Sequence, residues 1–500
     1  MISVSEGTRR ALMMTTAGLV LGILAEILLH GARPGVNVLL WVLAAMGLIA
    51  GFARRQGPAL DRQVRWLAVP ALFFAGAAAL RDAPSAVALS LLMLGVTALT
   101  AVTAAQGGRL AAAGLLEYGL RLLYAAAAVV TGPFRLIGRD VAWNEVPRGE
   151  TYRTVLAVAR GLIIALPLLL IFGALLTSAD LVFARLVEDV FDLNLPAAID
   201  RLLFTAFWAW LATGLLRGLT RAEAQEVPAP PQVGWLSVGT VEAATVLGAV
   251  NTLFLAFVIV QLRYLFGGAA LVEETLGLTY ADDARRGFFE LTAAAALVVP
   301  LLLGADRLVR PPAPRQRRIL HGLAATLVAL VYVTLASAVY RMVLYQQAYG
   351  LTEMRLLVMF FLGWLAFVLA WLLATTLTGR RERFVVGVLA AAYVTAALLV
   401  AVNPHAVIAR ANLAHYEATG RFDADYAATL SADAAPVLIR ALPYLPEPDR
   451  AHLAAVLLDR WPAQHPAGAD WRSWNLGRQQ AAAAVTDHRA ELEEAAGRRP

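Results

Sequence analysis

The residues Arg315-Gln316-Arg317-Arg318 stand directly before the apolar run ILHGLAATLVALVYVTLASAVY, which covers 319–340. A helix needs roughly 20 mostly apolar residues to cross the hydrocarbon core of a bilayer, and this run has that length. Short basic loops stay on the cytoplasmic side during membrane insertion. The stretch therefore predicts a membrane-spanning helix that enters the bilayer from the cytoplasmic face.

Arginine clusters also flank other apolar runs of the chain. Arg9 and Arg10 precede the first run. Further clusters follow the second run or precede the last; they are Arg54, Arg55, Arg62, Arg65, Arg380, Arg381 and Arg383. Because such clusters stay cytoplasmic, their alternation predicts orientation as well as class. The N-terminus is expected on the cytoplasmic side and the C-terminus on the extracytoplasmic side.

Apolar runs of spanning length recur along the first 402 residues. A length of roughly 20 residues, or about 17 to 25 with tilt, predicts about eleven spans. They are Ala11–Leu29, Val36–Ala53, Trp66–Leu80, Ser85–Ala104, Val155–Leu176, Leu202–Leu216, Val241–Phe266, Phe288–Leu303, Ile319–Tyr340, Leu356–Leu377 and Val385–Val402. The predicted fold is all-α, with a polytopic transmembrane helix bundle over residues 1–402.

The composition agrees with a lipid environment. Of the 500 residues, 59% are hydrophobic and only 16% are charged, whereas soluble domains average roughly 45–50% apolar and about 25% charged residues. The net charge of +6 is spread over many short loops, unlike the single basic face of a nucleic-acid binder. The lipid bilayer is the expected partner, and no nucleic acid is. With 0 cysteines, disulfides, thiolate nucleophiles and cysteine-based zinc sites are excluded.

Two further apolar stretches are predicted to lie along the membrane surface. Leu110–Val130 is interrupted by Glu117 and Arg121, which are spaced to pair on one helical face. A crossing here would turn the later arginine-rich loops outward, so the stretch is predicted as an amphipathic helix along the cytoplasmic interface. Leu181–Phe191 has one apolar face and is predicted as an interfacial helix on the opposite, acidic side.

The composition changes after Val402. Asn403-Pro404 ends the last apolar run, and residues 403–500 alternate helix signals with turns. Ser431 is expected to cap a short helix, because a serine side chain accepts from the free amides of a first turn. A final helix is expected from about Trp471 to Ala495. These residues predict a small extracytoplasmic helical domain of ordinary size.

Polar residues near the apolar runs form the candidate functional cluster. It consists of Asn251, Gln261 and Arg263 along one run, Glu290 at the start of the next, and Arg355 further on. A charge at membrane depth is costly, so such residues face a cavity or pair with another helix, and one interpretation is a proton or ion pathway. The alternative is that the charged groups reach the interface from helix ends, while Asn251 joins two helices.

No reaction motif is present. The chain has no Walker loop, nucleophile elbow, dinucleotide fingerprint or HExxH pair, and each of these would place specific groups around a substrate or metal. Accordingly, no catalytic, cofactor-binding or metal-binding residue is assigned and no cofactor is expected. The balance of these observations is against an enzyme.

Several short motifs in the second half resemble a known group of proteins. They include Val250-Asn251-Thr252-Leu253-Phe254, Gln261 to Gly268, Leu278-Thr279-Tyr280, Ala284 to Leu291, Ala348 to Thr352 with Arg355-Leu356, Asn403-Pro404, Ile408 to Asn412, and Leu430-Ser431-Ala432-Asp433-Ala434. In this order they resemble the bacterial polytopic membrane proteins of the domain-of-unknown-function families 4153 and 4173. The resemblance implies a multi-pass protein of the bacterial inner membrane and carries over no site residues.

Two functional hypotheses follow. The first is a scaffold or sensor whose extracytoplasmic helical domain, residues 403–500, binds a protein partner. The second is a secondary transporter of a small solute, which needs polar groups around a cavity near the middle of the membrane. Only Asn251 has a clearly central position in an apolar run, so the first hypothesis ranks above the second.

Overall fold

The fold is a bundle of long helices with a smaller group of helices packed on one end. A computed structural model describes residues 5–56, 61–107, 115–142, 172, 195–220, 238–276, 288–309, 313–461 and 470–498. Within these ranges the chain is helical, and its one extended pairing is an isolated bridge between Val238 and Val309. The predicted all-α polytopic bundle is confirmed.

Twelve helices make up the bundle in the described ranges. They are α1 (Glu6–Leu29), α2 (Val36–Gln56), α3 (Arg62–Trp66), α4 (Ala68–Leu80), α5 (Pro84–Ala105), α6 (Leu115–Arg135), α7 (Leu195–Thr220), α8 (Thr240–Leu276), α9 (Phe288–Leu308), α10 (Pro314–Tyr349), α11 (Glu353–Leu377) and α12 (Phe384–Ala401). A π-helical turn, Leu136–Asp140, continues α6.

Six shorter helices follow at the C-terminus. They are α13 (Pro404–Thr419), α14 (Ala424–Thr429), α15 (Ala435–Ala441), α16 (Glu447–Arg460), α17 (Leu476–Asp487) and α18 (Arg489–Ala495). Their buried apolar side chains, such as Ile408, Leu438, Leu453 and Val485, form one core that is separate from those of the bundle. The single final helix predicted from Trp471 to Ala495 is instead a 3-10 turn (Trp471–Ser473) followed by α17 and α18.

Ten helical segments in the described ranges are long and apolar enough to cross a membrane. They coincide with nine predicted spans and with α6, whereas the apolar part of α9, Glu290–Ala305, is shorter. The predicted span Val155–Leu176 and the predicted interfacial helix Leu181–Phe191 lie outside the described residues, apart from Phe172.

Successive long helices run between the same two ends of the bundle. One end carries Arg54, Arg55 and Arg315, and we call it the arginine end. The other end meets the C-terminal helices, and we call it the covered end. There Arg81, after α4, donates to the carbonyls of Val400 (2.9 Å) and Ala401 (2.8 Å) at the end of α12. The N-terminus of α1 and the C-terminal helices therefore lie at opposite ends.

Helix α6 begins and finishes at the arginine end. Near its start, Tyr118 Oη and Thr100 Oγ1 in the last turns of α5 share a hydrogen bond of 3.0 Å. After its end, Asp140 accepts from Arg217 Nε at 2.9 Å in the last turn of α7, and the N–H of Ala142 donates to Thr8 Oγ1 in the first turn of α1. Helix α6 has the length and hydropathy of a span, while both of its ends lie at the arginine end; the interfacial position predicted from the sequence stays a prediction.

Helices α1 and α7 pack closely through small residues. Gly18 of α1 faces Thr213 of α7, and Gly22 faces Ala209 and Thr205. A Cβ on Gly22 would lie 2.6 Å from Ala209 Cβ and 2.6 Å from the Thr205 carbonyl oxygen. In a membrane, helices associate through close packing and polar contacts because lipid is as apolar as leucine. These glycines thus allow the two backbones to approach.

We predict that Gly22→Ala destabilises the bundle, because the added methyl group must push α1 away from α7. Overpacking of this kind costs about 1–3 kcal/mol, and thermal unfolding in detergent measures it. The control is Gly47→Ala in α2, where a Cβ meets nothing within 4 Å. Alanine is favoured over glycine inside a helix by about 1 kcal/mol, so this control should not lose stability. Equal melting temperatures for the two variants would contradict the packing argument.

Candidate functional site

Gln261 of the predicted polar cluster joins α8 to α10. Its side chain is 6% exposed. Its Oε1 accepts from Ser337 Oγ at 2.8 Å and from Arg341 Nη2 at 3.3 Å. A buried amide needs such partners, because an unbonded polar group away from water is costly. The contacts hold α8 against α10 close to the covered end.

Asn251 lies deeper in the bundle and apart from Gln261. Its Nδ2 donates to the carbonyls of Leu247 in its own helix (2.8 Å) and of Leu323 in α10 (3.0 Å). Both amide protons are therefore used on backbone groups, one of them between helices. This is the pattern of a polar side chain that joins two membrane helices.

Arg355 caps the C-terminal end of α10. Its guanidinium lies 4.1 Å from the centre of the Tyr345 ring, and it donates to the carbonyls of Tyr349 (3.2 Å) and Gly350. A cation is favourable at a helix C-terminus, where carbonyl groups lack partners. Arg355 and Gln261 thus both contact the last turns of α10, which is the only convergence among the described members of the predicted cluster.

Arg263 and Glu290 of the predicted polar cluster are expected to form an ion pair, because an unpaired charge in low dielectric is costly, but this pair lies partly outside the described residues. Arg263 belongs to α8, but its side chain is not among those described. Glu290 stands in the first turn of α9 and is exposed. The pair stays a prediction.

A larger polar cluster lies where the C-terminal helices meet the covered end, and we call it the junction. At its centre each of two acids binds backbone amides of the segment that holds the other acid. Asp433 Oδ2 accepts from the N–H groups of Asp82 (2.8 Å) and Ala83 (2.9 Å) at the start of α5. Asp82 Oδ2 in turn accepts from the N–H of Ala432 at 3.3 Å. Each carboxylate therefore satisfies amides that open a helical segment on the other side.

This exchange corrects the expectation for Ser431. Its hydroxyl makes no capping bond, and a 3-10 turn, Ala432–Ala434, precedes α15. Asp82 accepts from the Ala432 amide instead. A capping signal in the local sequence was thus overridden by a carboxylate from a distant turn.

Arg478 of α17 links three segments at the junction. It forms an ion pair with Asp82, and both side chains are largely buried. Its Nη2 also donates to the carbonyls of Pro34 (2.8 Å) and Ser473 (2.6 Å). Arginine presents five donors in a rigid fork, which allows one residue to reach the α1–α2 turn, the α4–α5 turn and the C-terminal helices together.

Other side chains of the C-terminal helices cap the remaining helix ends. Asn475 Nδ2 donates to the carbonyls of Ala78 (3.0 Å) and Arg81 (2.9 Å) at the end of α4. Arg472 Nη1 donates to the carbonyls of Ile27 (2.6 Å) and His30 (3.3 Å) at the end of α1. The junction therefore satisfies carbonyl groups that a helix C-terminus leaves without intrahelical partners.

Some of the motifs that carried the family resemblance lie at the junction. Asn412 brackets Leu351 in the α10–α11 turn: its Oδ1 accepts from the Leu351 N–H (2.6 Å) and its Nδ2 donates to the Leu351 carbonyl (2.9 Å). Asn403 adopts a left-handed conformation (φ 59°) and caps α13 by accepting from the Ala406 N–H. These motif residues connect and turn the chain, which explains why they carry no reactive group.

His405 and Glu353 form a second buried contact of the junction. His405 is 3% exposed; its Nδ1 accepts from the backbone N–H of Ser431 at 2.8 Å, and its Nε2 lies 3.1 Å from Glu353 Oε1. Because the lone pair of Nδ1 accepts this amide hydrogen, Nδ1 is not available as a base for the Ser431 hydroxyl. The Glu353 N–H also donates to Tyr426 Oη (2.8 Å), and burial raises the pKa of Tyr426 above its usual value.

Asp433 is the most electrostatically distinctive group of the junction. Burial raises the pKa of its carboxyl above the ordinary value of 3.8, and the N–H groups of Asp82 and Ala83 act in the opposite direction. Its Oδ1 is buried and has no hydrogen-bond partner among the described residues. Gly477, near the start of α17, lies so close to this oxygen that a Cβ there would clash with it.

Asp82, Asn475 and Arg478 were not singled out from the sequence. One local signal was present at Asp82-Ala83-Pro84. A residue that precedes proline favours an extended conformation, so a helix can begin at the proline. His405 and Asp433 both bind backbone amides. Among the residues that the structure describes, no group of three or more metal-binding side chains is present.

The fold and the junction together define a multi-pass membrane protein with a helical segment fixed to one end of its bundle. The chain belongs to the family described as Domain of unknown function (DUF4153), whose model matches residues 68–441. The match includes Asp82, Asp433 and α13–α15, and it ends before Arg478. No curated protein and no solved structure matches the chain.

We predict that Arg478→Gln loosens the C-terminal helices from the bundle, because it removes the partner of Asp82 and a donor to two carbonyl groups. Breaking a largely buried pair of this kind costs about 2–3 kcal/mol. The control is Arg489→Gln, whose guanidinium is 56% exposed beside Glu493 and should cost under about 0.5 kcal/mol. Thermal unfolding and the rate of proteolysis within 404–498 are measured for both variants. If the two variants were indistinguishable, Arg478 would not be what fixes the C-terminal helices to the bundle.

We predict that the stabilising effect of Asp433→Asn depends on pH. Because the pKa of Asp433 is raised in the folded state, protonation of its carboxyl stabilises the fold. This stabilisation is fully present below pH 3.8, the ordinary pKa, and is lost as the pH rises through the folded-state pKa. Asparagine resembles the protonated form at every pH. The melting temperature of the variant minus that of the wild type should therefore fall as pH is lowered from about 7 toward about 4. A difference that rises on acidification would contradict this sign.

Proposed function

We propose that this protein is a scaffold or sensor of the bacterial inner membrane. In this proposal the C-terminal helices, residues 403–500, lie on the extracytoplasmic side and bind a protein partner. The N-terminus lies in the cytoplasm. The bundle anchors the C-terminal helices and responds to what they bind.

The junction is the observation that carries this proposal. Side chains of the C-terminal helices satisfy the ends of α1, α4 and α5, and they clamp the α10–α11 turn. A displacement of these helices would have to break buried hydrogen bonds at several helix ends at once. A ligand shifts an equilibrium only through contacts that differ between two states, and such bonds provide those contacts.

The orientation rests on charge. Arg54, Arg55, Arg315 and Arg383 lie at the arginine end, and short basic loops remain cytoplasmic during insertion. The C-terminal helices pack on the other end. This supports an extracytoplasmic position for them.

The contacts of Asn251 support the scaffold or sensor over a transporter. A transporter needs polar groups free to bind solute near the middle of the membrane, whereas both amide protons of Asn251 are used on backbone carbonyls and its Oδ1, which has no partner among the described residues, is buried. Gln261 likewise bonds Ser337 and Arg341 near the covered end. These polar groups hold helices together.

Single cysteines test the orientation, because the chain has none of its own. A membrane-impermeant maleimide applied to intact spheroplasts should label Tyr444→Cys, a site 78% exposed in the C-terminal helices. It should label Arg315→Cys, at the arginine end, only after lysis. The reverse pattern would overturn the proposed orientation.

The coupling itself is tested in cells that lack the chromosomal gene. At matched membrane levels, Arg478→Gln should fail to restore the deletion phenotype, while Arg489→Gln restores it. A photoreactive residue at position 444 should form a defined adduct in wild-type cells. Full rescue by Arg478→Gln would show that the junction has no part in the function.

A further inference from the structure

Two tryptophans of the C-terminal helices lie exposed at the level where the bundle's apolar surface ends. Trp471 and Trp474 flank the 3-10 turn that contacts α1 and α2, and they are 61% and 40% exposed. The exposed apolar surface of α1 includes Ile23 (47%) and continues to Ile27 (55%), in the last turns of that helix. Arg472 binds the Ile27 carbonyl, so the tryptophans stand beside the end of this surface.

The turn is held rigidly at that level. The N–H of Val36, at the start of α2, donates to the Trp474 carbonyl at 2.9 Å, and the N–H of Arg33 donates to Ser473 Oγ at 3.0 Å. Gly35 approaches the Trp474 carbonyl so closely that a side chain there would clash. The backbone that carries the two indole rings therefore keeps a fixed position relative to α1 and α2.

The chemistry of this patch fits a lipid interface. Indole rings collect at the boundary between acyl chains and headgroups, where one part of the ring is apolar and the N–H meets polar groups. Trp474 Nε1 donates to Gln479 Oε1 at 3.0 Å, while none of the described residues accepts from Trp471 Nε1. The neighbouring charges of Arg472 and Asp470 neutralise each other in an ion pair.

Other exposed aromatic residues stand at both ends of the bundle. Tyr349, the last residue of α10 at the covered end, is 54% exposed, and Trp66, at the end of α3 near the arginine end, is 64% exposed. Membrane proteins carry such aromatic residues at both interfaces. The tryptophans of the C-terminal helices lie at the same end of the bundle as Tyr349.

We infer that the turn Trp471–Trp474 inserts into the headgroup region of the bilayer at the covered end. The C-terminal helices then rest on the membrane surface by way of Trp471 in addition to the junction. The occupant of this surface is a phospholipid layer, because the patch continues the apolar surface of the bundle and carries no net charge. This inference holds for either orientation of the bundle.

Spin labels on single cysteines measure the depth directly. Trp471→Cys, Ile23→Cys and Tyr444→Cys, each carrying a nitroxide, are reconstituted in vesicles of phosphatidylethanolamine and phosphatidylglycerol. Oxygen concentrates in lipid and a nickel chelate in water. The ratio of oxygen to nickel accessibility at 471 should be severalfold higher than at 444 and approach that at 23. A ratio equal to that at 444 would overturn the inference.

Low accessibility to both reagents at 471 would also overturn it, because the site would then be packed within protein. Native fluorescence provides a second measurement without a label. Brominated lipids should quench the wild type more than Trp471→Phe, at equal thermal stability of the two proteins. Equal quenching would count against the insertion of Trp471.

Discussion

The ends of the membrane helices impose the main constraint on this structure. Each helix leaves its last carbonyls and first amides without intrahelical partners, and turns such as 81–83 are too short to satisfy them alone. Here the missing partners come from the C-terminal helices. Arg472, Asn475 and Asp433 bind the ends of α1, α4 and the start of α5. The position of the C-terminal helices follows from this requirement.

Much of the bundle could be predicted, because span length and loop charge are local properties of the sequence. The interfacial position predicted for α6 rests on the same kind of local charge, because a crossing would turn later arginines outward, and it stays a prediction. The junction could not be predicted, because Asp433 and Ala83 are 350 residues apart. The local sequence around each residue contains no pattern that indicates contact with the other. The cap expected at Ser431 failed because Asp82 from a distant turn took its place.

The polar residues of the bundle divide by what they bond. Asn251, Gln261 and Arg355 were singled out because they lie in or near apolar runs of the sequence. That position does not say which neighbour each side chain contacts. In the structure Asn251 and Gln261 bond α10 from α8, and Arg355 bonds the end of α10 itself. All three contacts involve α10, which makes this helix the common support of the second half of the bundle.

Helix α6 has a consequence for how the chain tolerates change. Because it begins and finishes at the arginine end, it adds length and returns the chain to the end of the bundle from which it started. Its replacement by a shorter linker would leave Asp140 at that same end. A change of length between α5 and Asp140 therefore keeps the direction of the chain, whereas the loss of a helix that joins the two ends would reverse it.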